Sequence, residues 1–216
     1  MNQAPTRFDP ATLRVLLVTD GLGDASRIAR VVRAVTQAGV RAVQVREPQW
    51  TARALWRVVE DLAPLLAAVQ GLLFVNDRLD VAIAGSADGA QLGHRSLPPD
   101  VARAMVGPGP LLGYSAHDEG ELAAAAAAGC DFALLSPVWP TTSKPGVPHL
   151  GAARAGLLTA AARLPVLWLG GVTAATAATL RDLPPAQRPL GVAVRSELMT
   201  AADPAAAAAG LLQALA

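Results

Sequence analysis

The chain has 216 residues, a formal net charge of +1 and one cysteine, with 52% hydrophobic against 16% charged residues, which fits one soluble domain of ordinary size or at most two very small ones. A near-neutral balance without a basic run excludes a nucleic-acid surface, because such surfaces neutralise phosphates with clustered Lys and Arg. The lone Cys130 can form neither an internal disulfide nor a cysteine-based metal cluster, so a reducing compartment, the cytoplasm, is expected.

In chain order, the segment MNQAPTRFDP is polar and carries no apolar stretch of a secretory signal. No later segment reaches the roughly 18 uninterrupted apolar residues of a spanning helix, so no membrane association is expected. A first strand is predicted over 13–19, followed by a helix over 25–39 in which Ile28, Val31, Val32 and Val35 recur at helical spacing. The unit then repeats, with a strand over 42–45 and a helix over 51–69, then a strand over 72–76 and a short helix from Arg78. Further strands are predicted over 89–92, 111–115, 132–136, 166–169 and 191–195, and helices over 98–105, 118–128, 151–163, 174–183 and 204–216.

Strands that read as continuous apolar runs and alternate with helices imply a parallel sheet covered on its outer face. Eight such units in 216 residues fit an α/β fold, a single closed (β/α)8 TIM barrel near its lower size limit. A doubly wound open sheet is the alternative. It normally shows fewer strands, and no glycine fingerprint follows the first strand here. The Pro- and Gly-rich patches at 107–110 and 184–189 are short enough for ordinary connections, so 1–216 is read as one domain.

In a barrel the reacting groups sit at the C-terminal ends of the strands. The residues found there are Gln44, Arg46 and Glu47 after strand two, Asn76 and Asp77 after strand three, and Ser115 and His117 after strand five. Gly170 and Gly171 close strand seven, and Arg195 and Ser196 close strand eight. A Gly-Gly pair lets the backbone approach a ligand and expose N–H groups to an anion. It also suits a tight turn needing positive φ.

The loop after strand six concentrates Thr141, Thr142 and Ser143 beside Lys144, between prolines, which suits an anion clamp or lid. The chain uses Arg seventeen times and Lys once, which draws attention to Lys144. Arg46 can pair with Glu47 or with a ligand anion. Asn76 and Asp77 can offer oxygens to a hard cation or cap the following helix. His117, at a strand end near a hydroxyl, is the best-placed general acid or base.

These motifs in this order resemble the thiamin phosphate synthase and TenI superfamily: VTDG at 18–21, VQVRE at 43–47, NDRLDVAIAGSADGAQLG at 76–93, GYSAHD at 113–118, SPVWPTTSKPG at 136–146, LGGVT at 169–173 and GVAVRS at 191–196. The resemblance implies a (β/α)8 barrel, commonly a homodimer, that acts late in thiamin biosynthesis on a small-molecule thiazole phosphate. For a synthase it implies Gln44, Arg46, Asn76, Asp77, Ser115, Thr141, Ser143 and Lys144 around a Mg²⁺-bound pyrimidine diphosphate, with the thiazole phosphate near Gly171 and Ser196.

Two positions depart from the synthase pattern, because Pro48 stands where the synthase motif has a diphosphate-binding Lys and Ser96 where it has a second metal-binding Asp. Loss of one contact to developing negative charge commonly costs about 10²- to 10³-fold in rate. The expectation is therefore a TenI-like thiazole tautomerase with no cofactor, using His117 and Lys144 catalytically. The alternative is a thiamin phosphate synthase requiring Mg²⁺ at Asp77, and the second alternative a non-catalytic thiazole- or pyrimidine-phosphate binder.

Overall fold

The computed structural model describes residues 8–141 and 146–216. Eight parallel strands close into one ring: β1 (Val15–Val18), β2 (Ala42–Val45), β3 (Leu72–Asn76), β4 (Gly89–Leu92), β5 (Leu111–Ala116), β6 (Phe132–Leu135), β7 (Val166–Leu169) and β8 (Gly191–Val194), with β1 hydrogen-bonded to both β2 and β8. The helices are α1 (Ala25–Gln37), α2 (Ala52–Ala67), α3 (Leu79–Ala84), α4 (Pro99–Val106), α5 (Glu119–Ala127), α6 (Gly151–Ala161), α7 (Ala174–Ala178), α8 (Ser196–Met199) and α9 (Pro204–Ala214). The expected (β/α)8 barrel is the observed fold.

Strand side chains alternate between two cores, as a period of two requires. Leu17, Val43, Val45, Leu73, Val75 and Trp168 face outward and pack under the helices, where α1 offers Ile28, Val31, Val32 and Val35. Leu16, Val18, Phe74, Phe132, Leu134 and Leu167 face inward and fill the lower barrel. Phe132 is met edge-on by Phe74 at 5.2 Å and by Phe8 at 6.3 Å between ring centroids. Leu13 joins the same inner cluster from a 3-10 turn, Pro10–Leu13, whose Asp9 cap accepts from the Ala11 N–H at 2.9 Å. The N-terminal mouth is thus sealed by apolar side chains, which leaves the opposite mouth for polar chemistry.

A small barrel needs positions with no side chain at all. A Cβ on Gly191 would collide with the Leu13 carbonyl, and one on Gly113 with the Gln91 amide oxygen and the Phe132 ring.

Many element ends shift by one to three residues from the sequence expectation, and three differences have a visible cause. The first strand starts at Val15 because Pro10 begins a turn ahead of it. The helix expected over 174–183 is α7 followed by a 3-10 turn, Thr179–Asp182, and the chain becomes extended at Leu183, as a residue ahead of proline prefers. The short α8 directly after β8 was not anticipated, because four residues carry no periodicity. Among the described residues, no helix is long and apolar enough to cross a membrane.

Candidate active site at the C-terminal mouth of the barrel

Continuing the inward alternation of each strand upward brings Gln44, Asn76, Gln91 and Ser115 into one polar layer above the apolar plug. Gln44 Nε2 donates to Asn76 Oδ1 at 3.1 Å, tying β2 to β3, and Gln91 Nε2 donates to Ser115 Oγ at 3.1 Å, tying β4 to β5. Gln44 is 3% and Gln91 1% exposed. The Oε1 atom of each is buried without a hydrogen-bond partner among the described residues. Buried acceptors of this kind call for a donor from a ligand or water. Gln91 escaped the motif reading, yet its signal was available: it is the one polar side chain inside the run Gly-Ala-Gln-Leu, at an inward register position opposite Asn76 and Gly113.

Arg46 stands just above β2, half-buried, and its backbone N–H donates to Thr19 Oγ1 at 2.8 Å. Glu47, the neighbour proposed as its partner, is committed elsewhere, since its carboxylate accepts from the Gly21 and Gly23 N–H groups at 3.1 and 2.8 Å. Asp20 on the same rim is held by Arg27 at 2.6 Å. Burial lowers the Arg46 pKa, and the guanidinium groups of Arg195 and Arg95 push it the same way against the opposing effect of Glu47. Arginine starts high enough to stay charged regardless, so the rim carries positive charge beside two carboxylates, Glu47 and Asp20, that are engaged elsewhere.

Asp77 adopts a left-handed backbone with φ of 65° and lies exposed at the end of β3. It does not cap the following helix: the cap position of α3 is Arg78, which makes no side-chain cap bond. No group of three or more His, Cys, Asp or Glu side chains suited to a metal ion occurs among the described residues.

His117 follows β5 and is held by the first turn of α5. Glu121 Oε2 accepts from the His117 backbone N–H at 2.7 Å and lies 2.9 Å from Nδ1, while Asp118 caps the helix by accepting from the Glu121 N–H at 2.8 Å. With Nδ1 donating to a carboxylate, the neutral ring carries its acceptor at Nε2. Glu121 was not singled out from the sequence, although an acid four residues after a strand-end histidine is within reach of it on a helix.

The start of the long loop after β6 is pinned across β7. The Val138 N–H donates to Leu169 O at 2.9 Å and the Trp139 N–H to Gly170 O at 3.0 Å. This explains the glycines. Gly170 has φ of 97° and Gly171 of 65°; a Cβ at Gly170 would lie 2.9 Å from Pro137 Cα, and one at Gly171 would strike the Pro140 carbonyl. The tight-turn reading of the pair is therefore realised, and it leaves the pair's backbone facing a cavity.

That cavity, about 190 Å³, lies between the loops after β6, β7 and β8 and is lined by Thr141, Gly170, Gly171, Arg195 and Ser196, with Glu197 also on its wall. Helix α7 keeps its own first N–H groups occupied through a reciprocal Thr173–Thr176 capping box, whereas α8 begins at Ser196 with no side-chain cap bond from Arg195. Of the residues expected to meet, the structure brings Thr141, Gly170, Gly171, Arg195 and Ser196 to one cavity and Gln44, Asn76 and Ser115 to the layer inside the mouth. Arg46, Asp77 and His117 stand around the rim. Thr142, Ser143 and Lys144 lie outside the described residues.

The fold and this mouth define a class: a (β/α)8 barrel with a polar, arginine-bearing C-terminal rim and a cavity between the loops after β6, β7 and β8. A family model described as thiamine monophosphate synthase matches residues 15–198, and the chain belongs to that family of enzymes. A thiamine-phosphate synthase of Salinispora tropica is 39% identical over 205 residues, 94% of this chain and 97% of the relative. One of Laribacter hongkongensis is 39% identical over 185 residues, 85% of each chain. A solved thiamine phosphate pyrophosphorylase of Pyrococcus furiosus superposes with a TM-score of 0.84 at 27% identity, covering 95% of this chain and 96% of that one.

These relatives overturn the expectation of a TenI-like thiazole tautomerase. Pro48 and Ser96 had decided for that reading, but relatives matching over nearly the whole chain are synthases by name. For the cation absent at position 48 a physical reason is visible at the rim, where Arg195 and Arg95 bring guanidinium groups into the field of Arg46.

Proposed function

We propose that the chain is a thiamin phosphate synthase that acts as a single domain. It joins an aminopyrimidine methyl diphosphate to a thiazole phosphate. The observation that carries this reading is the 39% identity with a thiamine-phosphate synthase across 94% of the chain, and the cationic mouth supplies its chemistry. The methylene C–O bond breaks and the diphosphate leaves with the bonding pair. The thiazole nitrogen lone pair then forms the new C–N bond.

Arg46 holds the diphosphate, and the lysine and hydroxyls of 141–144 are assigned to the same anion. Ser196, with the backbone of Gly170 and Gly171, seats the thiazole phosphate in the cavity they line. The Gln44–Asn76 and Gln91–Ser115 pairs present polar groups toward the heterocycles. The two unpartnered glutamine oxygens accept from the amino group of the pyrimidine.

Magnesium fits this donor set through Asp77. Its carboxylate is exposed and enters no hydrogen bond or ion pair among the described residues, and Mg²⁺ is commonly held by one or two carboxylates together with substrate phosphates. When bound, the ion neutralises charge on the leaving diphosphate.

The test is direct. Purified protein given both substrates and Mg²⁺ should form thiamin phosphate and pyrophosphate in equal amounts, and chelation of Mg²⁺ should suppress turnover. Absence of thiamin phosphate with both substrates bound would overturn the reading.

A further inference from the structure

Three guanidinium groups stand on the C-terminal rim within half a turn of the ring: Arg195 after β8, Arg46 after β2 and Arg95 after β4, with Arg46 two strands from each. Arg95 belongs to no catalytic assignment made above. It sits in the turn that leaves β4, where Gly93 and Ser96 close on one another: the Gly93 N–H donates to Ser96 Oγ at 2.9 Å and the Ser96 N–H to Gly93 O at 2.9 Å. This clasp fixes the backbone carrying Arg95 at the mouth while its side chain remains exposed.

Neither Arg46 nor Arg95 makes a side-chain hydrogen bond or ion pair among the described residues. The Arg46 Nη1 lies over Gly21, 3.8 Å from where a Cβ of that residue would be. Two rim carboxylates are engaged elsewhere, Glu47 by backbone N–H groups and Asp20 by Arg27, while Asp77 stands open at the end of β3, where the metal is assigned. Glu197 lies on the far side, in the cavity beside Ser196. Like charges that no ion pair neutralises, here those of Arg46 and Arg95, raise the energy of the free protein, and an anion bound between them lowers that cost. Burial is the largest cause of the lowered Arg46 pKa, and the charges of Arg195 and then Arg95 add to it.

We propose that Arg95 is a further diphosphate-binding residue, which grips the leaving group together with Arg46 across the Asn76–Asp77 end of β3, and that Arg195 stands between this anion and the phosphate seat at Gly171. The assignment rests on the synthase reading for the identity of the anion. It gives the rim separate means for two anions: the Arg46–Arg95 side takes a diphosphate, and the Gly171–Ser196 side takes a monophosphate. Arg195 is shared because it lines the second cavity and acts on Arg46 at the first.

The test is isothermal titration of the whole protein with inorganic pyrophosphate and, separately, with inorganic phosphate, with Mg²⁺ present. Arg95→Ala should weaken pyrophosphate binding about tenfold or more, the scale of one lost charge-assisted contact, and leave phosphate binding unchanged. Arg95→Lys should retain part of the affinity, Arg195→Ala should weaken both ligands, and Arg30→Ala on the exposed face of α1 should weaken neither. Unchanged pyrophosphate affinity in Arg95→Ala would overturn the proposal, as would an equal loss for both anions, which would mark a general field and not a contact. If pyrophosphate binding depends on Arg95 while no thiamin phosphate is formed, the anion site stands and the synthase reading falls.

Discussion

Gly171 shows how one residue serves two demands. Its φ of 65° is costly for any side chain, and a Cβ there would strike the Pro140 carbonyl of the loop that crosses it. Both demands are local to the cavity lined by Gly171 and Ser196. Gly171→Ala is therefore expected to push the loop after β6 away from β7, costing about 1–3 kcal/mol of backbone strain and raising KM for the thiazole phosphate proposed to bind there, with only a small loss of stability. Steady-state kinetics beside a denaturant titration checks the balance between the two effects. Gly191 differs in kind. There the forbidden Cβ would meet the carbonyls of Leu13 and Arg14 at the seam with β1, so its role lies in closing the barrel.

At the scale of elements, helices α1, α2, α5, α7 and α9 are held by a side-chain cap at their start and by buried apolar residues. Asp203 accepts from the Ala205 and Ala206 N–H groups, both at 3.0 Å, and Pro204 supplies the first helical position. Helix α9 buries Ala208 and Leu211. Asp203→Ala should destabilise the protein by about 0.5–2 kcal/mol without touching the mouth, so a lower urea midpoint with unchanged kcat/KM is the expected result.

Elements of this kind were legible in the sequence because their signals are periodic or local. The valines of α1 repeat at helical spacing, and β1, β6, β7 and β8 are unbroken apolar runs. What escaped had no such signal. The four residues of α8 are too few for a period, and the partner of Glu47 lies across a loop in two glycine N–H groups. Strand ends read from the sequence were sufficient to bring the candidate residues to one mouth of the barrel. The motif positions misjudged the chemistry because charge at a site is a sum over residues from several strands, and the charge of Arg95 acts on Arg46 from two strands away. Position 48 alone could not report that sum.

Viewed as a whole molecule, the barrel is polarised along its axis. Phe8, Leu13, Phe74 and Phe132 close one end, and amides, hydroxyls and guanidinium groups open the other. The side chain of Arg103 makes the same division outside the sheet. It bonds Gly107 O, Pro110 O and Gly129 O and pairs with Asp131 at 2.7 Å, bracing connections at the sealed end while the ligand-facing loops are left to other interactions. Stability and reactivity are thereby assigned to opposite ends of the strands, the separation usual in this architecture.

The seam between β8 and β1 carries the same parallel pairing as the other junctions of the ring, and nearby the Arg14 side chain donates to the Leu215 carbonyl. In hydrogen-bonding terms the ring has no privileged starting strand. A circular permutant that links residue 216 to residue 8 through a short flexible bridge, with new ends opened in the connection at 107–110 on the sealed face, should refold into the same barrel and retain synthase turnover within about tenfold, since such exposed connections tolerate new ends. Loss of the fold on permutation would show that the order in which the strands are added, and not only their final arrangement, decides whether the ring closes.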